Sequence, residues 1–276
     1  MPDIYRDTGT CLIPKVAVLG LIQLGDFMWP LGSRIRQWIW ALKGRIVESI
    51  WRRAGTKFLF WPPLQERKGR QEFFYNAFKA LSFNGIDGDY AEFGCWGGTT
   101  FALAYHESRR HHHKARLWAF DSFQGLPPPK ELGDAHPKWK EGRMATPLEE
   151  FNAICASNGI PSEAYRVVPG FYDQTLTILS SKDGPTNIAL AYVDCDMYSS
   201  SKTVLQFLRP RLKHGMLIAF DDYFCWSATQ ISGERKAMLE FFADDSRWTL
   251  VPYMQFGWHG NSFLVEDKKI IGSQVF

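Results

Sequence analysis

The sequence predicts an α/β protein in which buried parallel strands alternate with helices. Three observations predict it. Two apolar runs rich in β-branched and aromatic residues, IALAYVDCDMYSS (188–200) and MLIAFDDYF (216–224), end abruptly in acid and are separated by a helical pattern. A third run, YAEFG (90–94), leads into the glycine turn CWGGTT and the helix FALAYHES, the first unit of a nucleotide-binding α/β fold. The 276 residues are long enough to bury an ample core.

Composition narrows the function classes. A net charge of +3 is too small to argue for nucleic acid. Five cysteines (Cys11, Cys95, Cys155, Cys195 and Cys225) without CxxC spacing favour reduced thiols and a cytoplasmic location over a disulfide frame or a zinc site. No signal peptide is expected, and the apolar stretch 11–30 is interrupted by Lys15, Asp26 and two prolines, so no membrane-spanning helix is expected either.

In chain order, residues 1–84 form a helical N-terminal extension and residues 85–276 the catalytic domain. Ile35, Ile39, Leu42, Ile46 and Ile50 lie at helical spacing within 31–53, with arginines, lysines and tryptophans around them. Such a basic amphipathic helix suits peripheral contact with an anionic membrane, a partner subunit or the catalytic domain itself, and its aromatic character leads us to expect a homodimer. WPP (61–63) breaks the chain, and a helix resumes over 65–81 with Phe73, Phe74, Phe78 and Leu81 turned inward. The glycine turn lacks GxGxxG, which weakens a dinucleotide-binding dehydrogenase.

ARLWAFDSF (115–123) is the second strand, and Asp121 at its end, near the expected interval from Gly94, is placed to bond a ribose diol. Residues 124–147 carry no periodicity and read as a lid in which His136, Lys138 and Trp139 are candidate substrate contacts. Thr146 as N-cap and Pro147 open the next helix. AYRVVPG (164–170) is the third strand, and the helix starting FYDQTLTILS brings Gly170, Phe171 and Asp173 to the rim. The fourth and fifth strands deliver Asp194, Asp196, Asp221 and Asp222 to that same rim. Crowded carboxylates repel, and a hard cation such as Mg²⁺ or Ca²⁺ relieves them. WTLVPYM (248–254) and NSFLVE (261–266) close the chain as a pair of antiparallel strands.

Five segments in this order, AEFGCWGGTT, AFDSFQGLPPP, VVPGFYDQTL, YVDCDMYSS and LIAFDDYF, resemble the macrocin-type (TylF-like) O-methyltransferases of the class I S-adenosylmethionine-dependent group, over about residues 85–230. The resemblance implies a Rossmann-like, doubly wound, mostly parallel sheet. It implies Glu92 and Gly94 beside the methionine part of S-adenosylmethionine, Asp121 and Ser122 at the ribose, and Gly170, Phe171 and Asp173 at the adenine side. It also implies Asp194, Asp221 and Asp222 as Mg²⁺ ligands, Asp194 doubling as base towards a small-molecule hydroxyl acceptor, and Asp196 as a support for the turn. One departure is Gly97, where the family commonly has a basic residue.

Two alternatives remain open at this point. A metal-independent methyltransferase would use a lid histidine such as His136 as base, and chelation separates it from the Mg²⁺-dependent reading. A non-catalytic cofactor-fold protein tethered by its N-terminal helix would bind S-adenosylmethionine without turnover. A metal-dependent hydrolase is disfavoured because no histidine lies near the acidic motifs in sequence.

Overall fold

The structure, a computed structural model, describes residues 62–179 and 182–274. The basic helix expected over 31–53 lies outside them. Helix α1 (Pro62–Phe83) begins at the two prolines, where missing N–H groups cost nothing. Phe73, Phe74, Ala77, Phe78 and Leu81 form one stripe of it and are essentially fully buried. That stripe belongs to the main core, and the compact unit runs over Gln65–Phe276.

Strand β1 (Asp89–Phe93) passes through the glycine turn into α2 (Thr99–Arg110), β2 (Leu117–Asp121), α3 (Leu148–Ser157) and β3 (Tyr165–Pro169). The one-turn helix α4 (Tyr172–Thr175) precedes β4 (Ile188–Val193), α5 (Tyr198–Leu208), β5 (Leu217–Phe220) and α6 (Gly233–Phe242). Strands β6 (Trp248–Phe256) and β7 (Gly260–Asp267) and a short helix α7 (Lys268–Gln274), which the sequence did not suggest, complete the chain. The sheet order is β3-β2-β1-β4-β5-β7-β6. Strands β1 to β5 pair in parallel, and β7 runs antiparallel to both β5 and β6.

All residues of β4 and β5 are buried because both faces of the sheet are covered, which explains why these strands read as continuous apolar runs. On one face Tyr90 and Tyr192 pack with α1, Phe101 of α2 and Phe151 of α3. On the other, Phe93, Phe120 and Val193 pack with Val204, Leu205 and Leu208 of α5 and with Met238 of α6. The chain winds outward from β1 to β3, then returns to place β4 on the other side of β1. That reversal leaves a crevice beyond the strand ends.

Two local expectations are corrected. The helix after β3 is a single turn, and the Thr175 and Thr177 hydroxyls donate to the carbonyls of Phe171 and Asp173. Thr146 does not cap α3, whose N-cap is Pro147. Its hydroxyl instead accepts the Gly97 N–H at 3.0 Å, bracing the glycine turn. The lid is also more ordered than its composition suggests. Leu126 and Arg143 pair their backbones across its neck, and the Gly142 N–H returns to the Leu126 carbonyl. The buried Asp134 accepts the N–H groups of Lys130, Glu131 and Ser199, fastening the lid to the start of α5. Among the described residues no helix is long and apolar enough to cross a membrane.

Candidate active site

A cleft of about 270 Å³ opens at the reversal point and is lined by Gly94, Asp121, Ser122, Phe171, Asp173 and Asp194 among others. Gly94 is there by necessity. Its φ is +96°, and a Cβ would lie 1.7 Å from the Asp194 carbonyl oxygen, so only glycine lets the β1 turn meet the β4 tip. Asp121 accepts the N–H of Cys95 and that of Phe123, each at 2.6 Å, one on each oxygen. Burial raises its pKa while these two bonds oppose the rise. It ties the glycine turn to the end of β2 and keeps free lone pairs for a diol. Ser122 donates to the Gly125 carbonyl and accepts the Gln124 N–H, so it shapes the turn at the cleft edge. Asp173 is exposed and paired with Lys130 of the lid at 2.6 Å, spanning the cleft mouth.

Glu92 and Gly170 lie outside this lining. Glu92 is fully buried beneath the turn, where Thr100 donates to it at 2.6 Å and Tyr90 donates to its other oxygen. Burial pushes its pKa up to about 8. Gly170 has φ +125°, and a Cβ would come 2.7 Å from the Thr175 methyl, so it serves the tight entry into α4.

At the tips of β4 and β5, Asp194, Asp196 and Asp222 each offer an oxygen within 4.8 Å of the others. Asp194 is half-buried and faces the cleft; Asp196 and Asp222 are buried. Burial, then the charges of Asp221 and Asp222, hold the Asp194 carboxyl well above the usual carboxylate range. Asp196 is raised in the same way, by burial and by the adjoining Asp222. Three oxygen donors so placed, carrying more negative charge than the site tolerates, fit a hard divalent cation. Asp196 also adopts φ +61°, which orders the sharp turn into α5.

Asp221, expected among the ligands, stands beside this trio with a different set of partners. Arg70 of α1 grips it with two bonds, Nε to Oδ1 at 2.9 Å and Nη2 to Oδ2 at 2.6 Å, and Tyr192 donates to Oδ1 as well. Burial pushes the Asp221 pKa up, but the Arg70 pair more than reverses this and leaves it low. Arg70 escaped the sequence reading because nothing separates it from the other charges of its helix. His259 was also missed: the pairing of Phe220 with Asn261 brings the β6–β7 turn to the β5 tip. There its Nδ1 lies 2.7 Å from the Asp221 carbonyl oxygen and 3.4 Å from Oδ2, so a histidine does stand near the acidic motifs. His136, in contrast, is outside the cleft lining; its Nδ1 accepts the Lys138 N–H and its ring packs on Trp139.

The family model described as Macrocin-O-methyltransferase (TylF) matches residues 61–241. Over 150 residues the chain is 33% identical to the 8-demethyl-8-(2,3-dimethoxy-alpha-L-rhamnosyl)-tetracenomycin-C 4'-O-methyltransferase of Streptomyces olivaceus, covering 51% of this chain and 54% of that protein. Over 146 residues it is 29% identical to the demethyldecarbamoylnovobiocin O-methyltransferase of Streptomyces niveus, with the same coverage. The matched region thus spans about half the length of these curated relatives. Among solved structures, the O-methyltransferase NovP superposes with a TM-score of 0.59 at 24% identity, over 71% of this chain and 79% of that one. The calicheamicin methyltransferase CalS11 superposes with a TM-score of 0.58 at 19% identity, over 94% and 99% respectively. The fold is that of the class I methyltransferases.

Proposed function

This chain belongs to the macrocin-O-methyltransferase (TylF) family, and on that premise we propose that it transfers a methyl group from S-adenosylmethionine to a hydroxyl of a sugar or glycosylated small molecule, with Mg²⁺ at the acidic cluster. The observation that carries the reading is that Asp194 belongs both to the cleft wall, beside Gly94, and to the carboxylate cluster. Donor and metal chemistry would therefore meet at one residue. Both curated relatives are named for methyl transfer to oxygen, one of them on a rhamnosyl tetracenomycin.

In this reading Asp121 and Ser122 take the ribose, Gly94 leaves room for the methionine part, and Phe171 and Asp173 border the adenine. Glu92 acts from below by fixing the turn. Asp194, Asp221 and Asp222 remain the proposed ligand set, with Asp196 adding a fourth carboxylate within reach. Arg70 bonds each Asp221 oxygen and His259 Nδ1 lies 3.4 Å from Oδ2, so an ion at Asp221 would share these oxygens with both side chains. When bound, a divalent ion lowers the pKa of a coordinated hydroxyl and fixes its position. Methyl transfer needs the acceptor oxygen in line behind the methyl carbon at about 3 Å, and in this reading Asp194, on the cleft wall, takes the proton. The metal-free alternative loses support, because the lid histidine His136 is engaged within its own loop, away from the cleft.

The test is methyl transfer from S-adenosylmethionine to a panel of nucleotide sugars and glycosylated aglycones, with EDTA and with Mg²⁺ restored. Loss on chelation and recovery with Mg²⁺ is expected. Full activity in EDTA would remove the metal from the reading, and no transfer to any hydroxyl would remove the reading itself.

A further inference from the structure

Glu234 is absent from every functional motif of the sequence, yet it is fully buried between the two acid-bearing strand tips. Its Oε1 accepts the N–H groups of Cys195 at 3.1 Å and Asp196 at 3.3 Å, both just beyond β4. Its Oε2 accepts the N–H of Asp222, just beyond β5, at 2.9 Å. One carboxylate therefore links the backbones of two of the clustered acids and of the residue that joins Asp194 to Asp196.

A second observation shows that the approach of α6 is built for this. The preceding residue, Gly233, would place a Cβ 2.6 Å from the Tyr198 backbone nitrogen and 3.1 Å from the Asp196 carbonyl oxygen. Only glycine lets the first turn of α6 press against the β4 tip. Ser232 caps the helix by accepting the Arg235 N–H, fixing where that turn begins.

We propose that Glu234 is the positioning residue of the metal centre: through backbone bonds to both strand tips it holds the carboxylates at the spacing an ion needs. This rests on the metal reading above. Glu234 faces backbone N–H groups and none of its bonds reaches the cleft, so it acts through the ligands without touching substrate. A carboxylate is required because both of its oxygens accept. Glutamine has one acceptor oxygen, and its NH₂ group would face the N–H of one tip, pushing β4 and β5 ends apart.

The experiment compares the full chain with Glu234→Gln by manganese titration, read by electron paramagnetic resonance of free Mn²⁺, and by calorimetric titration with S-adenosylmethionine. The expected result is an Mn²⁺ affinity about 10- to 100-fold weaker, as for lost supports of metal ligands elsewhere. S-adenosylmethionine affinity should change far less. Gly233→Ala, which displaces α6 while keeping the glutamate, should weaken Mn²⁺ in the same selective way, and it stands in should Glu234→Gln not fold. Equal loss of both affinities, or Mn²⁺ binding unchanged while the wild-type chain binds it, would overturn the positioning role alone. No Mn²⁺ binding by the wild-type chain would overturn the metal reading and this proposal together.

Discussion

Two carboxyl groups on neighbouring strands, Glu92 of β1 and Asp194 at the tip of β4, both have pKa values raised chiefly by burial. Asp194 is raised by burial and by two adjacent acids, which is the situation of a group waiting for a cation or a proton. Asp194→Asn should keep S-adenosylmethionine binding in calorimetry but lower turnover by at least about 100-fold, the usual cost of a lost general base. Glu92 is raised by burial, with smaller contributions from the charges of Asp221 and Asp121, while its hydrogen bonds from Thr100 and Tyr90 work the other way. Below its ordinary value of 4.5 both folded and unfolded chains hold this proton, while between 4.5 and about 8 only the folded chain does. Stability is therefore lost as pH rises through that window. Urea denaturation across it should show a shallower decline for Glu92→Gln than for the wild-type chain; parallel curves would contradict the assignment. The family resemblance implies Glu92 beside the methionine part of S-adenosylmethionine. Strand alternation turns its side chain towards the face shared by Tyr90 and Tyr192.

At the scale of elements, the meeting of β1 and β4 sets the geometry of the cleft. Parallel pairing of Phe93 with Val193 puts Gly94 directly against Asp194. Gly94→Ala would need the backbone to move, because the obstacle is a carbonyl oxygen and not a pliable side chain. The expected result is a lower melting temperature together with loss of S-adenosylmethionine binding; normal binding would show that the turn is free to shift. The strands, the glycine turn and the delivery of acids to one rim were all legible, because each strand is a buried run with an abrupt polar end. The lid was legible only as a loop. Its anchor, Asp134, is one acid among many charges in that segment, and its three backbone partners include one 65 residues away. Thr146 was misread for a related reason: a Thr-Pro pair before a helix is a sound capping signal, and only the tertiary structure offers it the Gly97 N–H instead.

Across the whole molecule, Asp221, beside the carboxylate cluster, is paired with a cation from α1. Arg70 and Asp221 are 151 residues apart, and their two-bond pair joins α1 to the β5 tip. Burial works against the Arg70 charge, but the hydrogen-bonded Asp221 outweighs it and raises the guanidinium pKa. Arg70→Met would leave a buried carboxylate without its counter-charge, and should cost about 3 kcal/mol in urea unfolding. A cost near zero would mean that the remaining partners, Tyr192 and His259, suffice. Long-range partners of this kind, Arg70, Glu234 and His259, are what sequence reading does not reach. Each is an ordinary polar residue on its own element and acquires a role only when the sheet order brings that element to the rim.

The most direct measurement is a crystal grown with S-adenosylhomocysteine and Mn²⁺, with anomalous scattering collected to locate the ion. The account predicts the nucleoside in the cleft with its ribose at Asp121, and one manganese peak ligated by Asp194, Asp221 and Asp222. An empty acid cluster beside a filled cofactor cleft, or a nucleoside bound away from Gly94 and Asp121, would contradict it.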